Sequence, residues 1–189
     1  MKKKNTIVLT GFMGSGKSTI GKILASRLGG SFRDLDHEIE MKEGEKISHI
    51  FQKLGENHFR ALERHHFFEC ISSRPLVLAV GGGAIQQTEI LEFVKNHTLM
   101  VYLNVPEETL FMRLKKDKER PLLRDKFGIL LDDEKLREKI RELLMLREQT
   151  YLLADVTLAV RPNWSKLETA NHLANLLSEY ASAATPPNN

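Results

Sequence analysis

Several features that are common in proteins are missing from this sequence or scarce in it. Cys70 is the only cysteine, so no disulfide can form within the chain, and we expect a reducing compartment. No window of the 189 residues is long and apolar enough to suggest a membrane span. The apolar stretch after Met1–Lys4 is too short for a signal peptide and runs directly into a glycine-rich loop. These absences favour a cytoplasmic protein.

The chain also lacks a large excess of positive or negative charge. The net charge is only +3 at pH 7 and its residues are dispersed, which gives no indication of a nucleic-acid or membrane-binding surface. We also find no internal repeat. Hydrophobic residues make up 41% and charged residues 28% of the chain, as in ordinary globular proteins, and the length suits one domain with a substantial core.

The chain is organised around residues 11–19, with the sequence GFMGSGKST. This segment fits G-x-x-x-x-G-K-[ST], the phosphate-binding loop. The apolar run Ile7–Leu9 before it predicts a buried strand, and apolar residues at helical spacing after it predict a helix. Glycines let the backbone wrap a phosphate at the helix N-terminus. We therefore expect a nucleoside triphosphate here, bound by Gly14, Ser15, Gly16, Lys17, Ser18 and Thr19.

The side chains of this loop have distinct predicted tasks. Lys17 supplies a positive charge for the β- and γ-phosphates, and the Ser18 hydroxyl is a predicted Mg²⁺ ligand. A dinucleotide-binding turn fits less well, because Thr19 stands where that motif needs its third glycine. A glycine-rich turn without a ligand is the other alternative.

Strand-like and helix-like segments alternate along the whole chain, which predicts an α/β fold with a mainly parallel sheet. Predicted strands cover residues 7–9, 31–34, 76–80, 99–103 and 156–160. Predicted helices cover residues 20–28, 36–41, 47–53, 55–70, 106–116, 133–151 and 164–180. The charged segment 117–132 has weak periodicity, as in a lid or a disordered segment. We expect one domain over residues 1–180 and a disordered tail over 181–189.

Two aspartates follow the second predicted strand. In open parallel sheets, ligands bind at the carboxyl ends of strands. The strand at 76–80 ends in glycines, so Asp34 is the better candidate to hold Mg²⁺, directly or through water. Asp36 is a candidate base that takes the proton of an attacking hydroxyl. Alternatively, Asp36 only caps the short helix that follows it.

Arg147 stands on an apolar helical stripe, which also contains Leu136, Ile140, Leu143, Leu144 and Tyr151. Burial of a cation is costly unless an anion pairs with it. The partner is either a ligand carboxylate or phosphate, or an acid of the protein. Arg60 has Glu56 four residues before it, so spacing alone explains it as a surface ion pair.

Three further features are weaker candidates. Gly81–Gly83 allows a ligand to approach the backbone closely, although a plain strand-to-helix turn looks the same. Arg120 in the segment Arg120–Leu123 is placed to swing onto a transferring phosphoryl group, although a solvated charge run looks similar. The seven histidines show no metal-ligand spacing, so we expect them to be ordinary surface or helix residues.

Together these motifs resemble the shikimate kinase family, in the family's order and over about residues 7–163. The resemblance is carried by segment 11–19, Asp34-x-Asp36, Gly55-Glu56-x-x-Phe59-Arg60, the triple glycine, Arg120–Leu123 and Arg147-x-x-x-Tyr151. It implies a three-layer P-loop kinase fold of the nucleoside monophosphate kinase type, with a five-stranded parallel sheet and helices on both faces. It also implies a substrate-binding region at about 34–62 and a lid at about 117–132.

The activity implied by the resemblance is transfer of the γ-phosphate of ATP to the 3-hydroxyl of shikimate, in aromatic amino-acid biosynthesis. Lys17 and Ser18 would serve the phosphates and Mg²⁺, Asp34 would lie near the metal, and Asp36 would be the base. The implied shikimate-binding residues are Asp36, Arg60, Gly81, Gly82, Gly83 and Arg147. Arg120 would act from the lid, and Arg113 and Pro162 would flank the adenine. We expect a monomer that binds neither nucleic acid nor membrane.

Two other functions fit part of this pattern. A gluconate or nucleoside monophosphate kinase would share the scaffold, although a monophosphate acceptor is already ionised and needs no base such as Asp36. A nucleotide-binding regulator without turnover would not need Asp36 and Arg120, since it has no acceptor to phosphorylate.

Overall fold

Strands and helices alternate along the chain, as the sequence predicts. The structure is a computed structural model, and it describes residues 6–74, 76–117, 120–124, 129 and 131–183. The strands are β1 (Ile7–Thr10), β2 (Phe32–Asp34), β3 (Val77–Ala79), β4 (Leu99–Asn104) and β5 (Val156–Ala159). The helices are α1 (Lys17–Arg27), α2 (Leu35–Glu43), α3 (Ile47–Ser72), α4 (Thr88–His97), α5 (Glu107–Leu114), α6 (Asp133–Tyr151) and α7 (Lys166–Ala183).

The strands form one parallel sheet in the order β2-β3-β1-β4-β5. Ile7 of β1 is level with Val77 on one side and with Leu99 on the other. Helices cover both faces, so the predicted five-stranded α/β kinase fold is confirmed. Because parallel strands end at the same edge, the residues that follow β1, β2 and β3 lie together.

Alternation along the strands divides the core into two halves. Ile7 and Leu9 belong to the half that also contains apolar residues of α1, α5, α6 and α7. Val8, between them, belongs to the half formed with α2, α3 and α4. Successive strand side chains point to opposite faces, so β1 is buried on both sides, and its first three residues are all apolar.

The structure corrects the sequence-based assignment at two places. Helix α4 was not predicted, although Ile90 and Val94 have helical spacing and are both buried. Helix α7 ends at Ala183, so residues 181–183 belong to the helix and not to a tail, and residues 184–189 lie outside the described residues. The two helices predicted on either side of Gly55 are confirmed, since α3 consists of two helical stretches that break at Gly55, where φ is +79°.

A buried histidine ties α2 to α3. His66 is 5% exposed, and its Nε2 lies 2.7 Å from Oε1 of Glu43 at the end of α2. Its Nδ1 lies 2.9 Å from Oε2 of Glu69, one turn further along α3. This histidine is therefore not the ordinary residue that the sequence predicts, because it fixes two helices that both carry predicted site residues.

No helix in the ranges that the structure describes combines the length and apolar character needed to cross a bilayer.

Candidate active site

A cavity of about 870 Å³ opens at the carboxyl edge of the sheet. Its walls come from the loop after β1, the β2–α2 junction, the glycines after β3, and parts of α3, α5 and α6, together with Asp117, Arg120, Pro121 and Leu122. The predicted site residues that line it are Gly14, Gly16, Lys17, Ser18, Thr19, Asp34, Asp36, Arg60, Gly81, Gly82, Gly83, Arg113, Arg120 and Arg147. Ser15 and Pro162 do not line it, since Ser15 is buried beneath the loop and Pro162 is exposed.

The phosphate-binding loop has the backbone that its glycines allow. Gly14 and Gly16 have φ of +77° and +98°, a region that residues with side chains rarely adopt. The Nζ of Lys17 donates to the carbonyl oxygens of Gly11 at 2.9 Å and Phe12 at 3.1 Å. Burial lowers the pKa of Lys17 to about 8, against the opposing effect of the Asp36 charge. Lys17 is thus hydrogen-bonded to its own loop, and its ammonium group loses a proton more readily than that of an ordinary lysine.

The two aspartates differ in role. Asp34 caps α2, since its Oδ1 accepts a hydrogen bond from the backbone N–H of Asp36 at 3.1 Å. The alternative that Asp36 is the cap is therefore wrong, and Asp36 stands in the first turn of the helix. Burial and the neighbouring Asp34 charge raise the pKa of Asp36. A carboxylate with a raised pKa is a better proton acceptor than an ordinary one.

Arg147 is a buried cation that has no ion-pair partner among the residues that the structure describes. Its side chain lies on the buried face of α6 and is 7% exposed. It hydrogen-bonds with Tyr151, and its guanidinium lies 5.8 Å from the centre of the Phe12 ring. No carboxylate of the described residues pairs with it. Of the two alternatives in the sequence, the structure therefore favours a ligand anion over a structural ion pair.

Arg60 is held by two acids, only one of which was expected. Its guanidinium donates to Glu56 at 2.7 Å and to Glu63 at 2.6 Å. It also lies so close to Gly83 that any side chain there would overlap it. The absence of a Cβ at Gly83 therefore gives the guanidinium its place beside the glycine loop.

Glu63 is a cavity residue that the sequence analysis missed. It is 1% exposed, and its carboxylate also accepts a hydrogen bond from the side-chain amide of Gln87 at 3.1 Å. Burial raises the pKa of Glu63 to about 7, although Arg60 opposes the shift. The signal was in the sequence, since Glu63 stands on the same helical stripe as Phe59 and His66, where an acid is as unusual as Arg147 is on α6.

Arg120, like Asp117, is a charged residue of the predicted lid that lines the cavity. Its Nη1 lies 3.9 Å from Oδ2 of Asp36, and its Nε lies 3.1 Å from Oδ2 of Asp117. A short 3₁₀ turn, Pro121–Leu123, follows it, and Leu123 is buried. Residues 118–119, 125–128 and 130 of the predicted lid lie outside the described residues.

The far side of the loop carries two more cations. Arg113 of α5 donates to the carbonyl oxygen of Gly14 at 2.9 Å and faces the cavity, as predicted for a nucleotide contact. In the part of the chain that follows β5, Lys166 lines the cavity and Pro162 does not. Lys166 was not among the predicted site residues.

Comparisons with known proteins agree on one family. The family model described as shikimate kinase matches residues 13–177 of the chain. A shikimate kinase of Chlorobaculum tepidum is 42% identical over 158 residues, which is 84% of this chain and 83% of that protein. One of Persephonella marina is 42% identical over 81% of this chain and 87% of its own length.

A solved structure gives the same result. The shikimate kinase from Acinetobacter baumannii, in complex with shikimate, superimposes with a TM-score of 0.85 at 37% identity. The match covers 98% of this chain and 97% of that one.

Proposed function

The chain belongs to the shikimate kinase family, and we propose that it transfers the γ-phosphate of ATP to the 3-hydroxyl of shikimate. The observation that carries this proposal is the unpaired Arg147, which faces the same cavity as Lys17 and Asp36. A cavity that combines a phosphate-binding loop, a candidate base and a buried cation suits an acceptor that is both an alcohol and an anion.

The carboxylate of the acceptor binds to arginine in this proposal. Arg147 offers a planar fork of donors that no protein carboxylate of the described residues occupies. Arg60 lies beside Gly83 and forms ion pairs with Glu56 and Glu63. The backbone of Gly81–Gly83 lies between the two arginines, where a side chain on Gly82 would collide with the hydroxyl of Tyr151. The ring of the acceptor rests against this bare backbone.

Asp36 takes the proton. The acceptor oxygen attacks the γ-phosphorus, the bond from that phosphorus to the bridging oxygen of ADP breaks, and the hydroxyl proton passes to Asp36. The raised pKa of Asp36 favours this transfer. Since Asp34 performs the capping, Asp36 is free for it.

Positive charge meets the transferring group from two sides. Lys17 exchanges the carbonyls of Gly11 and Phe12 for phosphate oxygens when ATP binds. Arg120 leaves Asp36 and moves to the phosphoryl oxygens, where it stabilises the charge that develops in the transition state. On the other side of the loop, Arg113 contacts the nucleotide, with Pro162 proposed beside the adenine.

The residues present also suit Mg²⁺, which we propose accompanies ATP. Ser18 and Asp34 line the cavity and offer hydroxyl and carboxylate oxygens, the hard ligands that Mg²⁺ prefers. The cap uses only one oxygen of Asp34, so the other is available for the ion or its water. When bound, Mg²⁺ neutralises charge on the β- and γ-phosphates. We propose that the enzyme is monomeric and that it is cytoplasmic, in keeping with its single cysteine.

The direct test is ADP release in the presence of ATP and Mg²⁺, with shikimate, gluconate, AMP or no acceptor. We expect release that depends on shikimate and a phosphorylated product at the 3-hydroxyl. Lys17→Met, which keeps the length of the side chain without its charge, is the control for contaminating kinases. Equal release with gluconate, or release that survives in Lys17→Met, would contradict the proposal.

A further inference from the structure

Lys166 stands in an environment that is unfavourable for a cation. It is the first residue of α7, and that helix begins with a capping box: the backbone N–H of Glu168 donates to Oγ of Ser165 at 3.1 Å, and the backbone N–H of Ser165 donates to the Glu168 carboxylate at 2.7 Å. The capping box fixes where the helix starts. It thereby places Lys166 at the positive end of the helix dipole, where an acid is normally preferred.

A second helix N-terminus and a second cation lie beside it. The Nζ of Lys166 lies so close to Gly16, the residue before α1, that a Cβ there would be 2.6 Å from it. Arg113 is near enough for its charge to lower the pKa of Lys166, after the larger effect of burial. Neither cation has a carboxylate partner among the described residues.

No interaction within the described protein compensates for this arrangement. Two helix N-termini, Arg113 and Lys166 all present positive charge to the same part of the cavity. An anion at this point would relieve the repulsion and would gain hydrogen bonds from the lysine ammonium. The capping box also excludes the simplest alternative, since the acid nearest in sequence, Glu168, is engaged by the Ser165 backbone.

The cavity has two separate groups of charges, and their separation indicates which anion belongs here. Lys17 interacts with Asp36, Arg120, Asp34 and Arg147, which are the residues of the acceptor end. Lys166 has Arg113 as its charged neighbour and shares none of those partners. Lys166 lies against Gly16, whereas Lys17 reaches back to the carbonyl oxygens of Gly11 and Phe12. A nucleotide whose β- and γ-phosphates lie at Lys17 would place its α-phosphate on the side of Lys166.

We propose that Lys166 binds the α-phosphate of the nucleotide, as a second lysine of the site that enters from α7. The inference rests on the proposed function for its ligand, a nucleoside triphosphate. It assigns to the C-terminal helix a direct contact with ATP and ADP, whereas the sequence had suggested only Pro162 from that part of the chain.

A series of ligands tests the assignment. We would measure dissociation constants of adenosine, AMP and ADP by calorimetry in one buffer of fixed salt and magnesium concentration. The proteins are the wild type, Lys166→Met, Lys166→Arg and Lys95→Met. Lys95 lies on α4, is exposed and does not line the cavity, so its variant controls for the loss of one positive charge.

We expect Lys166→Met to weaken AMP binding about tenfold or more, as for one charged hydrogen bond, while adenosine binding is unchanged. The gain in affinity from AMP to ADP should be preserved, because Lys17 supplies it. Lys166→Arg should restore AMP binding in part, and Lys95→Met should match the wild type. The thermal midpoint of the empty Lys166→Met protein should not fall, since the change removes a repelled charge.

Three results would overturn the inference. The first is that Lys166→Met binds AMP as tightly as the wild type does. The second is that it loses equal affinity for adenosine and AMP. The third is that it loses only the gain in affinity from AMP to ADP. Failure of the proposed function would look different. In that case the wild type would bind the nucleotides as expected but would release no ADP in response to shikimate.

Discussion

The guanidinium of Arg120 lies 3.9 Å from the carboxylate of Asp36. One residue comes from the segment after α5 and the other from the first turn of α2, so the contact crosses the mouth of the cavity. Without substrates, the proposed base and the proposed phosphoryl-binding arginine partly satisfy one another. In the proposed mechanism, substrate binding separates them, because the acceptor hydroxyl and the γ-phosphate come to lie between them.

Arg120→Ala tests the proposed role of this arginine in the transition state. We expect kcat to fall about 10³-fold or more, as for other arginines that act on a transferring phosphoryl group. Arg124→Ala is a matched control in the same segment, since Arg124 does not line the cavity. Similar kcat values for the two variants would argue that Arg120 is only a surface charge.

Asp36→Asn separates catalysis from helix capping. Because Asp34 is the cap, this change should leave the thermal midpoint unchanged while kcat falls strongly and ATP binding is retained. Asp34→Ala should show the reverse for stability, with a loss of about 1 kcal/mol from the missing cap. Shikimate-dependent ADP release and thermal unfolding of both variants provide the measurement. An active Asp36→Asn enzyme would exclude Asp36 as the base.

Arg147→Met tests the site for the acceptor carboxylate. Loss of the partner of a desolvated charge should weaken shikimate binding by about 2–5 kcal/mol and leave ATP binding unchanged. The empty protein should not be less stable, because the variant removes a buried cation that lacks a protein anion. Arg141→Met is the control, since Arg141 lies on the exposed side of α6 and pairs with Glu107. A marked drop in the thermal midpoint would mean instead that Arg147 holds the domain together.

The pKa of Lys17 predicts how nucleotide binding depends on pH. In the empty protein it is lowered to about 8, so the ammonium is charged below that pH and neutral above it. ATP requires the charged form and stabilises it, so affinity should decline as the pH rises through 8, by up to about tenfold per unit. Titration calorimetry in buffers of different ionisation enthalpy should show proton uptake on binding near pH 8. In Lys17→Met both effects should vanish, and their persistence would assign them to another group.

Local patterns in the sequence were enough for much of the fold. The order of strands and helices follows from short apolar runs and from apolar residues at helical spacing, and α6 begins at Asp133 and ends at Tyr151 as predicted. The loop at residues 11–19 was recognisable because its glycines, lysine and hydroxyl residues must stand at fixed spacing to bind a phosphate. Helix α4 was overlooked even though its apolar spacing is regular, so that error lay in interpretation and not in the sequence.

By itself, the sequence determined the chemistry available to this protein: a phosphate-binding loop, two aspartates after a strand, and an arginine on an apolar stripe. These features depend on residues a few positions apart, whose relation is set by backbone geometry. Only the tertiary structure decided which of them work together. It assigned the cap to Asp34, placed Glu63 between Arg60 and Gln87, and brought Lys166 to Gly16. Apart from the capping bond and the Arg60–Glu63 pair within α3, these contacts depend on the order of the strands and on how helices pack across them, which no local period encodes.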